Sequence, residues 1–354
     1  MLRPEEFVVL PWGQPPRDLT PPDPTVVADL RECGFNLAGF IAPGDLDFFH
    51  AAGLPGIVKG DWTDKHPAAF GVYLRDEPGA QNFPDLARQV AARPHALCYI
   101  NLFPNYATPA QLQAASYEEY LETFVTTVRP QFISYDHYAL FEDGSFGGGY
   151  FPNLEAVRAQ AVRSGLPFWN IVLSNAHYQY AEPTPAGLRL QLFTTLAYGA
   201  RGISYYTYFT PPTGNYRLGP IDPDGRKSPT WFMLREVNQQ LHQLGPTYVT
   251  LTSLNVFHHP NVPAGSQGLA SSQWLTELTG NDLLVGEFVD PQGRPFVLVV
   301  NKSLQRSCSY HLQFRQPGQV QVVNSYTGTV EIRSGEHNWL APGQGMLLFL
   351  QPQS

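Results

Sequence analysis

From residue 8 to about 209 the sequence alternates short apolar or aromatic runs with stretches of helical periodicity, and each run stops in or beside Gly, Pro, Asn or Asp. Such a rhythm calls for parallel strands, because each run returns to the sheet through a helix. The runs are 8–13, 35–40, 54–59, 70–76, 97–103, 132–140, 167–175 and 202–209, eight in all. Helical patterns fall between them at 25–33, 45–52, 85–92, 117–128, 154–164 and 185–198, with Gly34, Gly53, Gly165 and Gly199 where helix C-caps are wanted. Eight β/α units over about 200 residues predict a (β/α)8 TIM barrel. The third unit is irregular, since GDWTDKHPAA (60–69) is too short and too Pro-interrupted for a full helix. One further amphipathic helix, 230–244, is expected to stop at Gly245-Pro246.

Beyond it the texture changes to period-2 runs split by turns: 283–289, then PQGR, then 296–301, 309–314, 320–324, 329–332 and 345–350. The expected organisation is a barrel over 1–248 followed by a smaller all-β sandwich over 249–354. The 13% aromatic and 15% charged content of the 354 residues excludes a disordered polymer. A formal net charge of −8 with no basic tract gives no footprint for nucleic acid or an anionic membrane. No run approaches the roughly 20 apolar residues of a membrane span, and the N-terminal stretch meets Pro11, Pro15 and Pro16 early, so neither a span nor a signal peptide is expected. Cys33, Cys98 and Cys308 are odd in number and widely separated, which argues against a disulfide framework or a cysteine zinc site and makes a reducing cytoplasm the default.

Chemistry in a barrel is expected where strands end. The fourth run ends in Tyr73-Leu74-Arg75-Asp76-Glu77-Pro78, and a period of two puts Tyr73, Arg75 and Glu77 on one face, with Leu74 and Asp76 on the other. Glu77 is the leading catalytic candidate, because a carboxyl group walled by aromatics keeps its proton and acts as a general acid. Against this stands a helix-capping role, or pairing with Arg75. The sixth run ends in Ser134-Tyr135-Asp136-His137-Tyr138, which makes Asp136 the second carboxylate, catalytic or orienting. Trp12, Asn101, Asn105, Trp169, Asn170, Asn175, Tyr205, Tyr206 and Tyr208 add aromatic faces, amides and phenols of the kind that pack on and hydrogen-bond to sugars. Taken singly, each aromatic is equally explained by β-propensity. Two carboxylates with no metal set are what glycosidic cleavage requires.

The stretches 71–78 (GVYLRDEP), 99–106 (YINLFPNY), 134–138 (SYDHY) and 188–208, with its LAYGARGISYYTY, resemble glycoside hydrolases that join a (β/α)8 barrel to a C-terminal β-sandwich. They are distantly similar to the β-galactosidase-type and cellulase-type enzymes of clan A. The resemblance implies that Glu77 is the acid/base, since Asp76-Glu77-Pro78 matches that clan's Asn-Glu-Pro motif with Asp for Asn. It departs at the seventh run, where the clan carries its nucleophile: FWNIVLSN has no acid, and Glu182 lies seven residues beyond Asn175. Other barrel glycosidases pair carboxylates from strands four and six, which would make Asp136 the partner and leave Glu182 in reserve.

The leading expectation is therefore an O-glycoside hydrolase acting on a small saccharide, without cofactor, with Glu77, Asp136 and Glu182 as catalytic candidates. Its substrate-binding set is Trp12, Arg75, Asp76, Asn101, Tyr135, His137, Tyr138, Trp169, Asn175, Tyr206 and Tyr208. The alternative is a non-catalytic carbohydrate-binding barrel that lost its nucleophile. A third reading needs a metal held by His137, His177 and Asp136, without HxH-type spacing to support it. The C-terminal module would bind polysaccharide, brace the barrel or build a homo-oligomer. The loop 139–151, with Gly147-Gly148-Gly149 marking mobility, would close one end of a cleft.

Overall fold

All eight apolar runs become strands, and they join in one parallel sheet in the order β1-β8-β7-β6-β5-β4-β3-β2. In the computed structural model, which describes residues 6–13, 23–60 and 66–352, these are β1 (Val8–Pro11), β2 (Ala38–Ile41), β3 (Gly56–Val58), β4 (Ala69–Asp76), β5 (Leu97–Leu102), β6 (Ile133–Asp136), β7 (Phe168–Leu173) and β8 (Gly202–Tyr206). The helices are α1 (Pro24–Glu32), α2 (Leu46–Ala51), α3 (Phe83–Ala91), the short α4 (Pro109–Leu112), α5 (Tyr117–Val128), α6 (Tyr150–Ser164), α7 (Pro185–Ala197) and α8 (Pro229–Tyr248). Pro15, Pro16 and residues 61–65 of the irregular third unit lie outside the described residues.

The sheet curls until its edges meet, which removes exposed ladder groups. At the seam the Asn36 and Leu37 amides donate to Val9 O at 3.2 and 3.4 Å, and the Asn36 side-chain carbonyl accepts from Val9 N at 2.8 Å. Only glycine fits at position 39, because a Cβ there would sit 2.1 Å from Pro11 O. The interior is filled by Leu10, Trp12, Leu37, Phe40, Ile57, Tyr99, Phe132, Trp169 and Ile171, so the barrel is a packed aromatic core rather than a pore.

Local chemistry sets the helix ends. Asp23 caps α1 by accepting from Thr25 N with Pro24 at the first turn, Ser116 caps α5, and Thr184 caps α7 ahead of Pro185. Several boundaries differ from expectation, α6 starting four residues early and β8 ending three early among them, and three differ for a visible reason. β6 stops at Asp136 because the next residues turn back on themselves, with Gly147 N donating to Ala139 O and Leu140 bridging Phe146, so the glycine-rich loop folds as a small hairpin leading into α6. β2 starts three residues late because Phe35 N closes α1 on Leu30 O. α8 runs through Gly245-Pro246 to Tyr248, whose hydroxyl donates to Leu196 O and Ala200 O and holds the last turn in place.

The chain forms two compact units, the first built on Val8–Glu182 and Arg201–Phe232, the second on Pro183–Ala200 and Met233–Ser354. The texture change at 248 thus falls within the second unit, which also takes α7 and most of α8. α7 is buried on nearly every side, Leu188, Leu190, Leu192, Phe193 and Leu196 along with Gln191, Thr194 and Thr195, whose hydroxyls and amide bond back to its own carbonyls. It packs on an antiparallel sheet of six strands, ordered Val330–Ile332 (β16), Gly318–Val323 (β15), Gly345–Pro352 (β18), Pro295–Asn301 (β12), Leu283–Val289 (β11) and Thr252–His259 (β9). Gly286 allows this approach, since a Cβ there would lie 2.2 Å from Ala197 O. Two short ladders, β10 (Leu275–Thr279) with β14 (His311–Phe314) and β13 (Cys308–Ser309) with β17 (Trp339–Leu340), share a core with that sheet through Phe257, Val285, Val299, Leu312 and Leu348. The carboxylate of Glu287 is buried there and accepts from Asn255, Ser272 and the amides of Gln273 and Trp274, so burial leaves it satisfied. Cys33, Cys98 and Cys308 are buried and not joined in disulfides. Among the described residues no helix is long and apolar enough to cross a membrane.

Candidate active site

Where β4 pairs with β5, Tyr73 faces Tyr99 and Asp76 faces Asn101, so three steps on one strand match two on the other. That bulge breaks the period of two. Tyr73 packs inside the barrel, Leu74 packs outward beside Val72 and Cys98, and Asp76 returns to the inside. The expected grouping of Tyr73, Arg75 and Glu77 on one face, with Asp76 opposite, is therefore corrected. Arg75 stands opposite Ile100 and is exposed.

The inward residues of β5 and β6 complete a hydrogen-bonded chain. Tyr99 OH lies 3.0 Å from Ser134 Oγ, which donates to Asn101 Oδ1 at 3.2 Å. Asn101 Nδ2 then donates to both carboxylates, Asp76 Oδ1 at 3.0 Å and Asp136 Oδ1 at 2.8 Å. The Asn101 amide is thus committed on both ends and holds the carboxylates rather than a sugar. Glu77 follows at the strand end with φ +44°, a left-handed conformation that costs a non-glycine residue energy. Its backbone is held on both sides: Glu77 N donates to Asn101 O at 2.8 Å, and Pro78 O accepts from Tyr120 OH at 2.6 Å.

Burial pushes the Glu77 carboxyl up to about 7, and the neighbouring Asp76 charge adds to the rise. Burial likewise raises Asp136 well above the ordinary aspartate range, with the Glu77 charge second and the Asn101 hydrogen bond opposing. Asp76 is raised by burial and held down by Asn101 and by Lys59, whose ammonium sits 5.3 Å over the Tyr73 ring. Trp12, Phe40, Tyr73 and Tyr99 lie beneath these groups in mutual ring contact and supply the low-dielectric floor.

The walls are aromatic. His137 Nδ1 donates to Asn153 Oδ1 at 3.0 Å, which also accepts from Asn105 N, and burial depresses His137 to about 4, so its ring is neutral at pH 7. Tyr106, 54% exposed, lies 5.1 Å from that ring and donates its hydroxyl to Tyr180. Tyr138 packs against Tyr180 and Tyr206, and Tyr206 OH meets Tyr216 OH at 2.8 Å. His177 stacks on Tyr216 with Nδ1 3.0 Å from Asn175 Oδ1, while Asn175 Nδ2 donates to Thr207 Oγ1. Burial raises the phenols of Tyr106, Tyr120 and Tyr180, and the charge of Glu77 adds to each rise.

Of the residues expected from sequence, Trp12, Asp76, Glu77, Asn101, Asp136, His137, Tyr138 and Tyr206 are brought together. Others are not. Trp169 lies near the start of β7, its ring tilted against Phe132 at 4.2 Å in the core. Tyr135 alternates with Ser134 and Asp136 and is fully buried on the opposite side of β6. Tyr208 accepts from Trp231 Nε1 at 3.0 Å and packs on Phe35, behind the barrel wall. Asn175 is buried as a support for His177. Glu182, with 59% of its side chain exposed, pairs with Arg217 at 3.4 Å, outside the Asn101 network. Tyr106, Tyr180 and Tyr216 were missed as wall residues because they sit on loops, where strand alternation carries no signal. Among the described residues no three His, Cys, Asp or Glu side chains cluster to hold a metal.

No protein-family model matches this sequence, and no curated protein matches it. Solved structures do share its fold. A β-galactosidase from the psychrophilic Marinomonas ef1 aligns at a TM-score of 0.50 and 12% identity over 69% of this chain. That alignment spans 62% of the β-galactosidase, less than two thirds of its length. An endo-β-1,3-glucanase of glycoside hydrolase family 128 from Amycolatopsis mediterranei, in complex with laminaritriose, aligns at 0.42 and 13% identity over 66% of this chain and 99% of its own. The likeness to the β-galactosidase is one of fold.

Proposed function

We propose that the barrel hydrolyses an O-glycosidic bond of a small saccharide, with Glu77 as the proton-transfer residue and Asp136 as its partner carboxyl. The observation that carries this reading is the bridged acidic cluster at the ends of β4 and β6, in which Asn101 ties Asp76 to Asp136 beside Glu77. Likeness of fold leaves the substrate class to be argued from the site alone.

Glu77 and Asp136 repel each other's charge and so titrate as a pair. The pair shares a proton: burial favours it on Asp136, the Asn101 N–H favours it on Glu77, and the reactive state is the one in which the more accessible Glu77 carries it. In that state Glu77 protonates the glycosidic oxygen as the bond to the anomeric carbon breaks, and anionic Asp136 stabilises or captures the positive charge developing on the sugar. Tyr106, Tyr138 and Tyr206 offer faces for the C–H side of the ring and hydroxyls for its polar edge. A general acid matters most for poor leaving groups. Glu77→Gln should therefore lower kcat/KM for alkyl glycosides far more than for dinitrophenyl glycosides, and equal losses on both would contradict the role.

One observation favours a second reading, a carbohydrate-binding barrel without catalysis: β7 carries no acid, and Glu182 is exposed and paired with Arg217. That reading predicts saccharide binding with no turnover of any glycoside.

A further inference from the structure

The second unit carries a cavity of about 310 Å³ whose rim holds two solvent-exposed aromatics, Tyr326 at 65% and Trp339 at 59% exposure. Trp339 belongs to β17 and pairs with Ser309 of β13, which fixes one side of the rim. Tyr326 sits in the turn after β15, where Asn324 Oδ1 accepts from Tyr326 N at 2.8 Å and from Thr327 N, and Gly328 N closes the turn on Asn324 O. The backbone that carries both rings is therefore fixed by hydrogen bonds before anything binds, which lowers the ordering cost of binding.

The remaining lining is mixed. Val323 and Met346 give an apolar base, and Gln344, Ser325 and Glu336 bring hydrogen-bonding groups to the same space. The volume lies at the lower end of ligand-site sizes, about 300–1,000 Å³, and suits a short segment of a chain rather than a protein. Aromatic faces beside neutral amides and hydroxyls match the two sides of a sugar ring, whose C–H faces pack on rings and whose hydroxyls need partners. No Lys or Arg lines the cavity, and its one histidine, His337, is buried with its Nδ1 against Ser334 N, so no permanent cation answers an anionic ligand. The one carboxylate, Glu336, lies 4.0 Å from His337 Nε2, on the outer edge.

We infer that this cavity, framed by Tyr326 and Trp339, is a binding site for a neutral oligosaccharide, separate from the acidic cluster of the barrel. The inference goes beyond the proposed hydrolysis and does not rest on it. To test it, the full chain carrying Glu77→Gln, which protects the probe from any turnover, is titrated by calorimetry with cellohexaose, xylohexaose, laminarihexaose and mannohexaose. Tetramethylammonium serves as the cation that an aromatic pair would otherwise attract. At least one hexasaccharide should bind with a Kd below about 1 mM, typical of a weak single-ring platform. Adding Trp339→Ala or Tyr326→Ala should weaken it at least tenfold, and Trp339→Phe should restore part of the loss with unchanged circular dichroism.

Absence of binding by all four sugars overturns the inference. So does binding that both alanine variants leave intact, or a site that takes only tetramethylammonium. Outcomes for the two sites are separable. Binding that depends on Trp339, in a chain with no glycosidase activity, would sink the hydrolytic reading and leave this one standing.

Discussion

Asp76 stands where its charge acts on Glu77, and that gives the cluster its pH behaviour. Removing the charge relieves Glu77, so Asp76→Asn should move the alkaline limb of kcat/KM to lower pH by about one unit. A limb that stays fixed would mean that burial alone sets the value. Glu77 also links stability to pH. Its folded value of about 7 exceeds the ordinary 4.5, so the native state keeps a proton that the unfolded chain loses. The stability from this group is complete below about pH 4.5 and is lost as pH rises through about 7. Glu77→Gln should therefore gain stability over wild type as pH goes from 5 to 8, by about 1 kcal/mol after allowing for solvent screening of a half-exposed group. Urea unfolding at both pH values reads this, and an equal difference at the two contradicts it. The placement of Glu77 and Asp136 at the ends of β4 and β6 was legible in the sequence because an acid interrupts or follows each apolar run there. Tyr135, Trp169 and Tyr208 were misplaced because a strand's start and facing cannot be read from residue type alone.

At the level of elements, the β4 bulge decides which acid enters the barrel. Its sequence, Tyr73-Leu74-Arg75-Asp76, alternates like an ordinary strand, and the extra residue exists only in the pairing with β5. No local signal could have revealed it. The seam between β1 and β2 makes a sharper demand on one residue. Gly39→Ala would drive a methyl group into Pro11 O and should cost at least about 3 kcal/mol, by opening the barrel where its edges meet. Gly148→Ala, with open space around its Cβ, should stay within about 0.5 kcal/mol. Thermal unfolding of the two variants compares them directly, and equal stability would show that the seam relaxes. The strands themselves were legible within a few residues, since apolar runs bounded by turn formers are a strong signal. β9, β10 and β17 were not, because their runs are broken by polar residues such as Asn255, Thr276 and Glu277.

For the whole molecule, the change of texture near 248 marks a change of secondary structure rather than the border between compact units. α7 lies between β7 and β8 in the chain yet buries its apolar surface against β11, β12 and β18. A chain ending at Tyr248 would leave Leu188, Phe193 and Leu196 without that cover and should aggregate or bind a hydrophobic dye. A soluble chain of that length with a cooperative thermal transition would contradict the account. Barrel and β-module were legible from rhythm. That α7 packs on the six-stranded sheet was not, because a helix with apolar residues on several faces reads the same whichever sheet it covers.

The central claim is that the bridged acidic cluster performs glycoside hydrolysis. It is tested most directly by chromophore release from a panel of aryl α- and β-glycosides, comparing wild type with Glu77→Gln and Asp136→Asn at equal folded concentration. The account predicts turnover of at least one glycoside by wild type and a loss of about 10²-fold or more in each variant. A wild type that cleaves none, yet binds saccharide with an affinity that both substitutions leave unchanged, would contradict it.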